Sequence, residues 1–368
     1  MDERLPECDA NSRLHPARLP PTITSSQTET IRPLESSPVE IESKTSMQAI
    51  QVKQPGGPEA MELVDIPVPE PKPNEAVVQL AASGVNFIDV YHREGRYKAP
   101  LPLILGQEGA GTVSAVSTDV TSVKKGDRVA WTGIMGGYAE YAAIPADRLV
   151  PIPAGVTDQQ AAAAMLQGMT AHYLSHDTYP LQRGETALIH AAAGGVGLLL
   201  VQMAHNLGAH ILATVSTEQK AKLARGAGAD EIIFYTQSDF EAETKRVTNG
   251  KGVEVVYDSV GKTTFEKGLN ILRPRGMMVL YGGSSGAVPP FDPIILTQKG
   301  SLFLTRPSLG NYIATREELV ARSNAVFGMM ASGKLKLRIE HSYPLAEAQR
   351  AHRELEGRKT TGKLLLIP

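Results

Sequence analysis

The chain has 368 residues, 42% of them hydrophobic, enough for about two domains with substantial cores. Its formal net charge of -2 supplies no positive field for nucleic acid or an anionic membrane surface, and no apolar run reaches the roughly 18 residues of a membrane span. The one cysteine, Cys8, excludes an intrachain disulfide and a multi-cysteine zinc site and fits a reducing, cytoplasmic setting.

Residues 1–46 contain "HPARLPPTITSSQTETIRPLESSPVEIESKTS", rich in Ser, Thr, Pro and Glu. Such a segment cannot bury enough apolar surface to offset its ordering entropy, so it reads as a disordered tail. No apolar stretch follows the start as in a secretory signal, and Asp2, Glu3, Glu7 and Asp9 argue against a transit peptide. From Met47 to about residue 150 the pattern is β-rich. "MQAIQV", "EAVVQLAASGV", "GAGTVSAV" and "DRVAW" are predicted strands, and "KPNE" and "KKGD" are turns between them. "TDQQAAAAMLQGMTAHYLSH" then predicts a helix with Thr157 as its N-cap. Strands and helices alternate afterwards. "TALIHA" is a strand, "VGLLLVQMAHNLG" a helix closed by Gly208, "HILATV" a strand and "TEQKAKLARGAG" a helix; "EIIFY", "VEVVYDSV" and "GMMVLYGG" are further strands. Apolar strands separated by helices imply a parallel sheet covered on both faces. From about residue 308 the pattern is mixed helix and strand, ending in "GKLLLIP", and no internal repeat is visible.

"LIHAAAGGVGLLLVQMA" places Ala192, Gly194 and Gly197 at the three positions of a G-x-G-x-x-G turn. Gly194 permits close backbone approach to a pyrophosphate, Gly197 allows tight helix–strand packing, and Gly195 adds a further bare surface. Ala192 is expected to take the tight-turn position. A strand before and a helix after give the motif its meaning, because the helix N-terminus offers free N–H groups and partial positive charge to phosphate. The next strand ends at Ser216 without a carboxylate, and Lys220 follows one turn later. A 2′-phosphate is therefore not repelled, and Ser216, Lys220 and Tyr235 together favour NADP(H). Glu218 is the competing residue: turned inward, it would favour NAD.

Other chemistries find little support. "GGSSG" (Gly282 to Gly286) matches the hydrolase G-x-S-x-G, but that elbow requires a following helix, and "AVPPFDP" blocks one. Ser284 is read as a loop residue near the cofactor. His172 and His176 share a helix face without the acidic partner of H-E-x-x-H, so they read as one half-buried and one solvated histidine. "FGMMASG" reads as core filling on a helix.

"LGQEGAGTVSAV", "GDRVAW", "HAAAGGVG", "VVYDSVG" and "GSLFLTRPSL" together resemble the zinc-free quinone oxidoreductases of the medium-chain dehydrogenase/reductase superfamily. The resemblance spans Met47 to Pro368. It implies an α/β protein: a GroES-like β-rich catalytic domain with an inserted Rossmann doubly wound parallel sheet, in a homodimer. The implied division is residues 47–168 and 308–368 for the catalytic domain and 169–307 for the NADP-binding domain. Zinc-containing members carry Gly-His-Glu where this chain has Gly106-Gln107-Glu108, so no zinc ligand set is expected.

The same resemblance assigns Gly194, Gly195, Val196 and Gly197 to the pyrophosphate turn, and Ser216, Lys220, Tyr235 and Arg358 to the 2′-phosphate pocket. Ser259, the loop of Gly282, Gly283 and Ser284, and the strand residues Leu304 and Thr305 would line the cofactor; many relatives have Asn where Gly283 stands. Tyr173 is a further cofactor candidate. Asn86, Tyr91 and Tyr97 in "GVNFIDVYHREGRY" would face nicotinamide and acceptor, and the tyrosine at the Tyr97 position donates a proton in related enoyl-thioester reductases. The expected function is NADPH-dependent reduction of a small quinone or conjugated carbonyl. Its alternatives are an enone or enoyl-thioester reductase, and an NADPH-binding structural or RNA-associated protein without turnover; the near-neutral charge weighs against RNA.

Overall fold

The computed structural model describes residues 44–368. The tail expected over residues 1–46 lies outside the described residues except for its last three, and of these Ser46 already belongs to a strand. The β-rich half contains β1 (Ser46–Val52), β2 (Met61–Pro67), β3 (Glu75–Val85), helix α1 (Phe87–Arg93), β4 (Leu103–Ile104), β5 (Glu108–Val116), β6 (Arg128–Thr132), β7 (Tyr141–Pro145) and β8 (Val150–Pro151). Helix α2 (Asp158–Tyr173) leads into β9 (Thr186–Ile189), α3 (Gly195–Leu207), β10 (His210–Val215), α4 (Glu218–Ala227) and β11 (Glu231–Phe234). Then come α5 (Phe240–Val247), β12 (Val253–Asp258), α6 (Phe265–Asn270), β13 (Leu272–Leu280), α7 (Ile294–Gln298) and β14 (Phe303–Thr305). The remaining elements are α8 (Leu309–Tyr312), α9 (Arg316–Ala331), β15 (Ile339–Pro344), α10 (Ala348–Glu356) and β16 (Lys363–Ile367).

Strands β9 to β14 form one parallel sheet in the order β11-β10-β9-β12-β13-β14. Alternate residues feed opposite faces. Leu188, Leu212, Val256 and Met278 join one core, while Ile189, Ile211, Val255 and Val279 join the other. That period of two explains why these strands read as unbroken apolar runs. The strand order reverses between β9 and β12, which opens a crevice beyond their C-terminal ends.

The second large sheet runs β15-β16-β3-β5-β6-β8, with β7 also paired to β3. Strand β16 lies antiparallel to β3, with Leu364 opposite Val85. The end of the described chain is thus built into the sheet begun by its first hundred residues. A smaller sheet, β2-β1-β4, completes this half. Helix α2 starts as expected from its sequence: Thr157 accepts from the Gln160 N–H at 3.1 Å, and the Gln160 side chain accepts from the Thr157 N–H at 3.0 Å. Its run Ala161 to Ala164 is fully covered, and these small side chains let neighbours approach closely.

Strands β2 and β7 and helix α1 lie in stretches where sequence periodicity predicts no element. Helix α1 is stabilised locally by Asp89, which accepts from the Asn86 N–H at 2.9 Å. It is also held by a buried polar chain. The Arg93 guanidinium donates to Glu356 at 2.5 Å and to His352 Nδ1 at 3.0 Å. That leaves His352 Nε2–H to donate to the Tyr138 hydroxyl at 3.1 Å, and Tyr138 donates to Asp89 at 2.9 Å. Of these five side chains only Glu356 reaches solvent.

Two groups in this chain oppose each other in acid. Burial pushes the Asp89 carboxyl up to about 6, against the lowering pull of the Asn86 N–H and Tyr138 hydroxyl. Burial, reinforced by Arg93, holds His352 down at about 3. Between pH 7 and pH 4 the folded state regains the cost of the Asp89 charge, on the order of 2 kcal/mol. Over the same range it loses on the order of 3 kcal/mol, because His352 protonates only in the unfolded chain. The two contributions cancel to within about 1 kcal/mol. Asp89→Asn should therefore show an unfolding free energy that falls by about 2 kcal/mol more than wild type from pH 7 to pH 4 in urea titrations. Parallel curves would remove Asp89 from this balance.

Candidate functional site

The crevice at the strand-order reversal widens into a cavity of about 870 Å³, walled by both halves of the fold. Its floor is the glycine turn. Strand β9 ends at Ile189, and the chain turns at Ala191 with φ of 50°. The positive angle thus falls on Ala191, one residue before the expected Ala192, which is fully buried and donates its N–H to Thr214 O at 3.2 Å. Gly194 then caps α3 with extended backbone. A side chain at Gly197 would place its Cβ 2.3 Å from Ala191 O and 2.9 Å from Ala192 Cα. One at Gly194 would meet only Ala191 O, at 3.1 Å, so that position faces the open cavity. The first N–H groups of the thirteen-residue helix α3 are aimed at this space. Val196 lines it as well.

At one end of the cavity stand Ser216, Lys220, Tyr235 and Arg358. Thr217 caps α4 by accepting from the Lys220 N–H at 3.3 Å, which places Lys220 in the first turn. The Lys220 ammonium donates to Arg358 O at 2.8 Å. Arg358 holds a left-handed backbone, φ 55°. Burial and the neighbouring Arg358 charge both lower the Lys220 pKa, as expected of cations gathered before an anion arrives. Glu218 turns away from the cavity to pair with Arg225 at 2.6 Å, its side chain 72% exposed. It therefore offers no carboxylate to a ribose.

The opposite end is lined by Phe87, Ile88, Tyr91, Tyr97, Gln107 and Tyr173. Tyr91 is buried, and its hydroxyl accepts from the Gly283 N–H at 3.1 Å, leaving the O–H proton free to point into the cavity. Tyr97 packs edge-on against Tyr91 at 5.4 Å and is 41% exposed at the rim. Tyr173 stacks on Tyr312 at 4.2 Å. Asn86 also lines the wall, but its amide is committed to protein. Its oxygen accepts from Gln167 at 3.1 Å and Lys363 at 2.9 Å, and its nitrogen donates to Glu108 at 2.9 Å and Gly84 O at 3.3 Å.

Ser259, Gly282 and Ser284 line the cavity, and Gly283 is joined to it through Tyr91. No helix follows "GGSSG" directly, α7 starting only at Ile294, so Ser284 is a loop residue. Leu304 and Thr305 stay out of the wall. Leu304 packs into the sheet core, and the next residue, Arg306, lines the cavity instead. His172 and His176 are both half-buried, so neither is the solvated one of the expected pair, and their rings stack at 4.2 Å. Burial, His176 and Arg322 hold His172 down to about 4.

Gln167, Thr170, Arg148, His190 and Thr214 also line the cavity, although nothing in their local sequence marks them. Gln167 and Thr170, three apart, are the polar residues in the mainly apolar middle stretch of α2 from Ala161 to Ala171. Gln107 is nearly buried in the wall, and Leu166 of α2 lines the same cavity. A carboxamide and a leucine make no zinc donor set, and among the described residues no three His, Cys, Asp or Glu side chains gather to hold a metal.

Residues 72–154 match the alcohol dehydrogenase GroES-like domain, and residues 195–321 match the zinc-binding dehydrogenase family. A quinone oxidoreductase of Pseudomonas aeruginosa is 48% identical over 321 residues, covering 87% of this chain and 99% of that protein. The chain belongs to the quinone oxidoreductases of the medium-chain dehydrogenase/reductase superfamily. A crystal structure of the Escherichia coli quinone oxidoreductase in complex with NADPH superposes with a TM-score of 0.86 at 47% identity, covering 87% of this chain and all of that one. A 2-haloacrylate reductase of a Burkholderia species is 40% identical over 88% of this chain and 99% of that protein. The GroES-like half and the parallel nucleotide-binding sheet are those of this quinone oxidoreductase family.

Proposed function

We propose that this chain is an NADPH-dependent quinone oxidoreductase that works without zinc. One observation carries the reading: a single cavity joins a helix-capped glycine turn to a pair of cations at one end and a tyrosine-walled apolar chamber at the other. A dinucleotide with an extra phosphate fits that order of groups. Bound NADPH supplies the reducing equivalents. The chain's own part is to bind and orient. The turn of Gly194, Gly195, Val196 and Gly197 cradles pyrophosphate, while Ser216, Lys220, Tyr235 and Arg358 take the 2′-phosphate. Tyr173, Ser259 and the loop of Gly282, Gly283 and Ser284 form the nicotinamide wall. Tyr91 keeps a hydroxyl proton over the chamber, and its ring helps to exclude water. Purified protein should oxidise NADPH faster than NADH when a quinone is added, followed by nicotinamide absorbance. No oxidation with any quinone would sink the reading.

A second acceptor class, conjugated C=C bonds, is favoured by Tyr97 at the rim and by the 2-haloacrylate reductase relative. Tyr97→Phe should then slow enone reduction by about 100-fold, the scale of a lost general acid, while quinone reduction changes less than about two-fold. Equal losses on both acceptors would deny Tyr97 a proton-donating role.

We also read the protein as a cytoplasmic homodimer. Strand β14 is an outer edge of the parallel sheet, with Phe303 56% exposed and Ile294 on α7 52% exposed. An apolar sheet edge of this kind suits a second copy. The single cysteine fits a reducing compartment, and no helix of the described residues is long and apolar enough to cross a membrane. The sheet memberships support dividing the chain into residues 47–168 and 308–368 around an inserted 169–307.

A further inference from the structure

We propose that Gln167 is a positioning residue for the dinucleotide, held in place by the buried Lys363–Glu108 pair through Asn86. The proposal rests on the NADPH-binding reading and extends it to residues that do not belong to the turn.

Four contacts close a ring around the edge of the cavity. First, the Gln167 carboxamide lies directly on the second glycine of the turn. A Cβ at Gly195 would stand 2.1 Å from Gln167 Oε1 and 2.5 Å from its Nε2. That contact gives Gly195 a reason to be glycine that is independent of the ligand. Second, Gln167 Nε2 donates to Asn86 Oδ1 at 3.1 Å, which fixes the amide so that Oε1 faces the turn. Third, Lys363 donates to the same Asn86 oxygen at 2.9 Å and pairs with Glu108, whose other oxygen accepts from the Leu166 N–H at 2.6 Å. Fourth, the residue before Lys363 returns to the turn: Gly362 donates its N–H to Ala193 O at 3.1 Å and forms a bridge with Gly194.

The ring thus runs from the glycine turn through Gln167, Asn86, Lys363 and Gly362 back to the turn. It draws on α2, the start of α1, β5 and β16, so it fastens the catalytic sheet to the phosphate-binding turn. Lys363 is 2% exposed, Glu108 0%, Asn86 3% and Gln167 9%. Only Asn86 and Gln167 of the four reach the cavity. Such a pair has no solvent-facing purpose. Taking both charges out of water is expensive, and the protein recovers that cost only if the geometry of the pair is fixed. What this fixed geometry orients is the Asn86 amide, and through it the Gln167 oxygen beside the turn. An acceptor at that place suits a ribose hydroxyl of the dinucleotide next to the pyrophosphate.

The test is a fluorescence titration with NADPH on three proteins besides wild type. Gln167→Met keeps the size and removes the carboxamide. Lys363→Met with Glu108→Gln removes the pair without stranding a buried carboxylate. The third combines all three changes. Gln167→Met and the pair replacement should each weaken NADPH binding by about 10-fold, the scale of one lost oriented hydrogen bond. The combined protein should bind no worse than the weaker of the two, because both break one ring. Thermal melts check that each is folded. If the pair replacement does not fold, Gln167→Met decides alone. Wild-type affinity in folded Gln167→Met, or losses that multiply in the combined protein, would overturn the ring. Wild type that binds NADPH but reduces no quinone would instead refute the enzymatic reading and leave the ring standing.

Discussion

Gly197→Ala should lose both NADPH binding and stability, whereas Gly194→Ala should lose binding alone. The difference follows from where each new methyl group goes. At Gly197 it would sit 2.3 Å from Ala191 O and 2.9 Å from Ala192 Cα, both backbone atoms of the turn itself. Neither can step aside without moving α3 away from β9, so the turn and its free N–H groups shift together. Overpacking of this kind costs about 1–3 kcal/mol. A displaced turn also forfeits several charge-assisted hydrogen bonds, so NADPH affinity should fall by more than about 100-fold. At Gly194 the nearest atom is Ala191 O at 3.1 Å and the backbone is extended, so the unliganded fold accepts a methyl group at little cost. The space it occupies is where pyrophosphate must come closest. Thermal melts and NADPH titrations of the two proteins side by side check this. Equal melting losses, or full affinity in Gly194→Ala, would mean that phosphate does not approach this turn.

Lys220→Ala should turn an NADPH-selective protein into one that barely distinguishes the two dinucleotides. The Lys220 ammonium has no carboxylate partner among the described residues; it donates to Arg358 O and sits beside the Arg358 charge. A half-buried ammonium beside an exposed guanidinium is unfavourable until a dianionic phosphate arrives between them. A hydrogen bond to a charged group contributes about 1.5–3 kcal/mol, so NADPH should bind about 10- to 100-fold more weakly. NADH carries no 2′-phosphate and should change less than about three-fold. The selectivity of wild type should also decline with added salt, and that of Lys220→Ala should not. An equal loss for both cofactors would place Lys220 elsewhere than at the 2′-phosphate. Glu218 gives the same logic from the other side: it spends its charge on Arg225 and leaves the pocket to anions.

What the sequence revealed depended on distance along the chain. The cap at Thr157, the closing Gly208 of α3, and the alternation from β9 to β13 are local, and periodicity plus turn chemistry exposes them. The glycine turn was visible for the same reason, although its left-handed residue is Ala191 rather than Ala192. The register of the three-residue β14 was not visible, and so Leu304 and Thr305 were expected at a wall that Arg306 occupies. Buried charge was the hardest to see. Arg93, Asp89, Glu108 and Lys363 look like surface residues in composition, and their partners are remote: Lys363 lies 277 residues from Asn86. No pattern of three, four or two residues can reveal a bond of that span. Only folding creates it.

The pairing of Leu366 with Ser83 sets an order of events during synthesis. Strands β9 to β14 are contiguous in the chain, so the nucleotide-binding half can assemble as it leaves the ribosome. The sheet around β3 cannot. Its strands must wait, with one edge open, while almost the whole described chain is made. Until β16 arrives, that edge of β3 stays unpaired, and an unpaired strand edge is a template for aggregation.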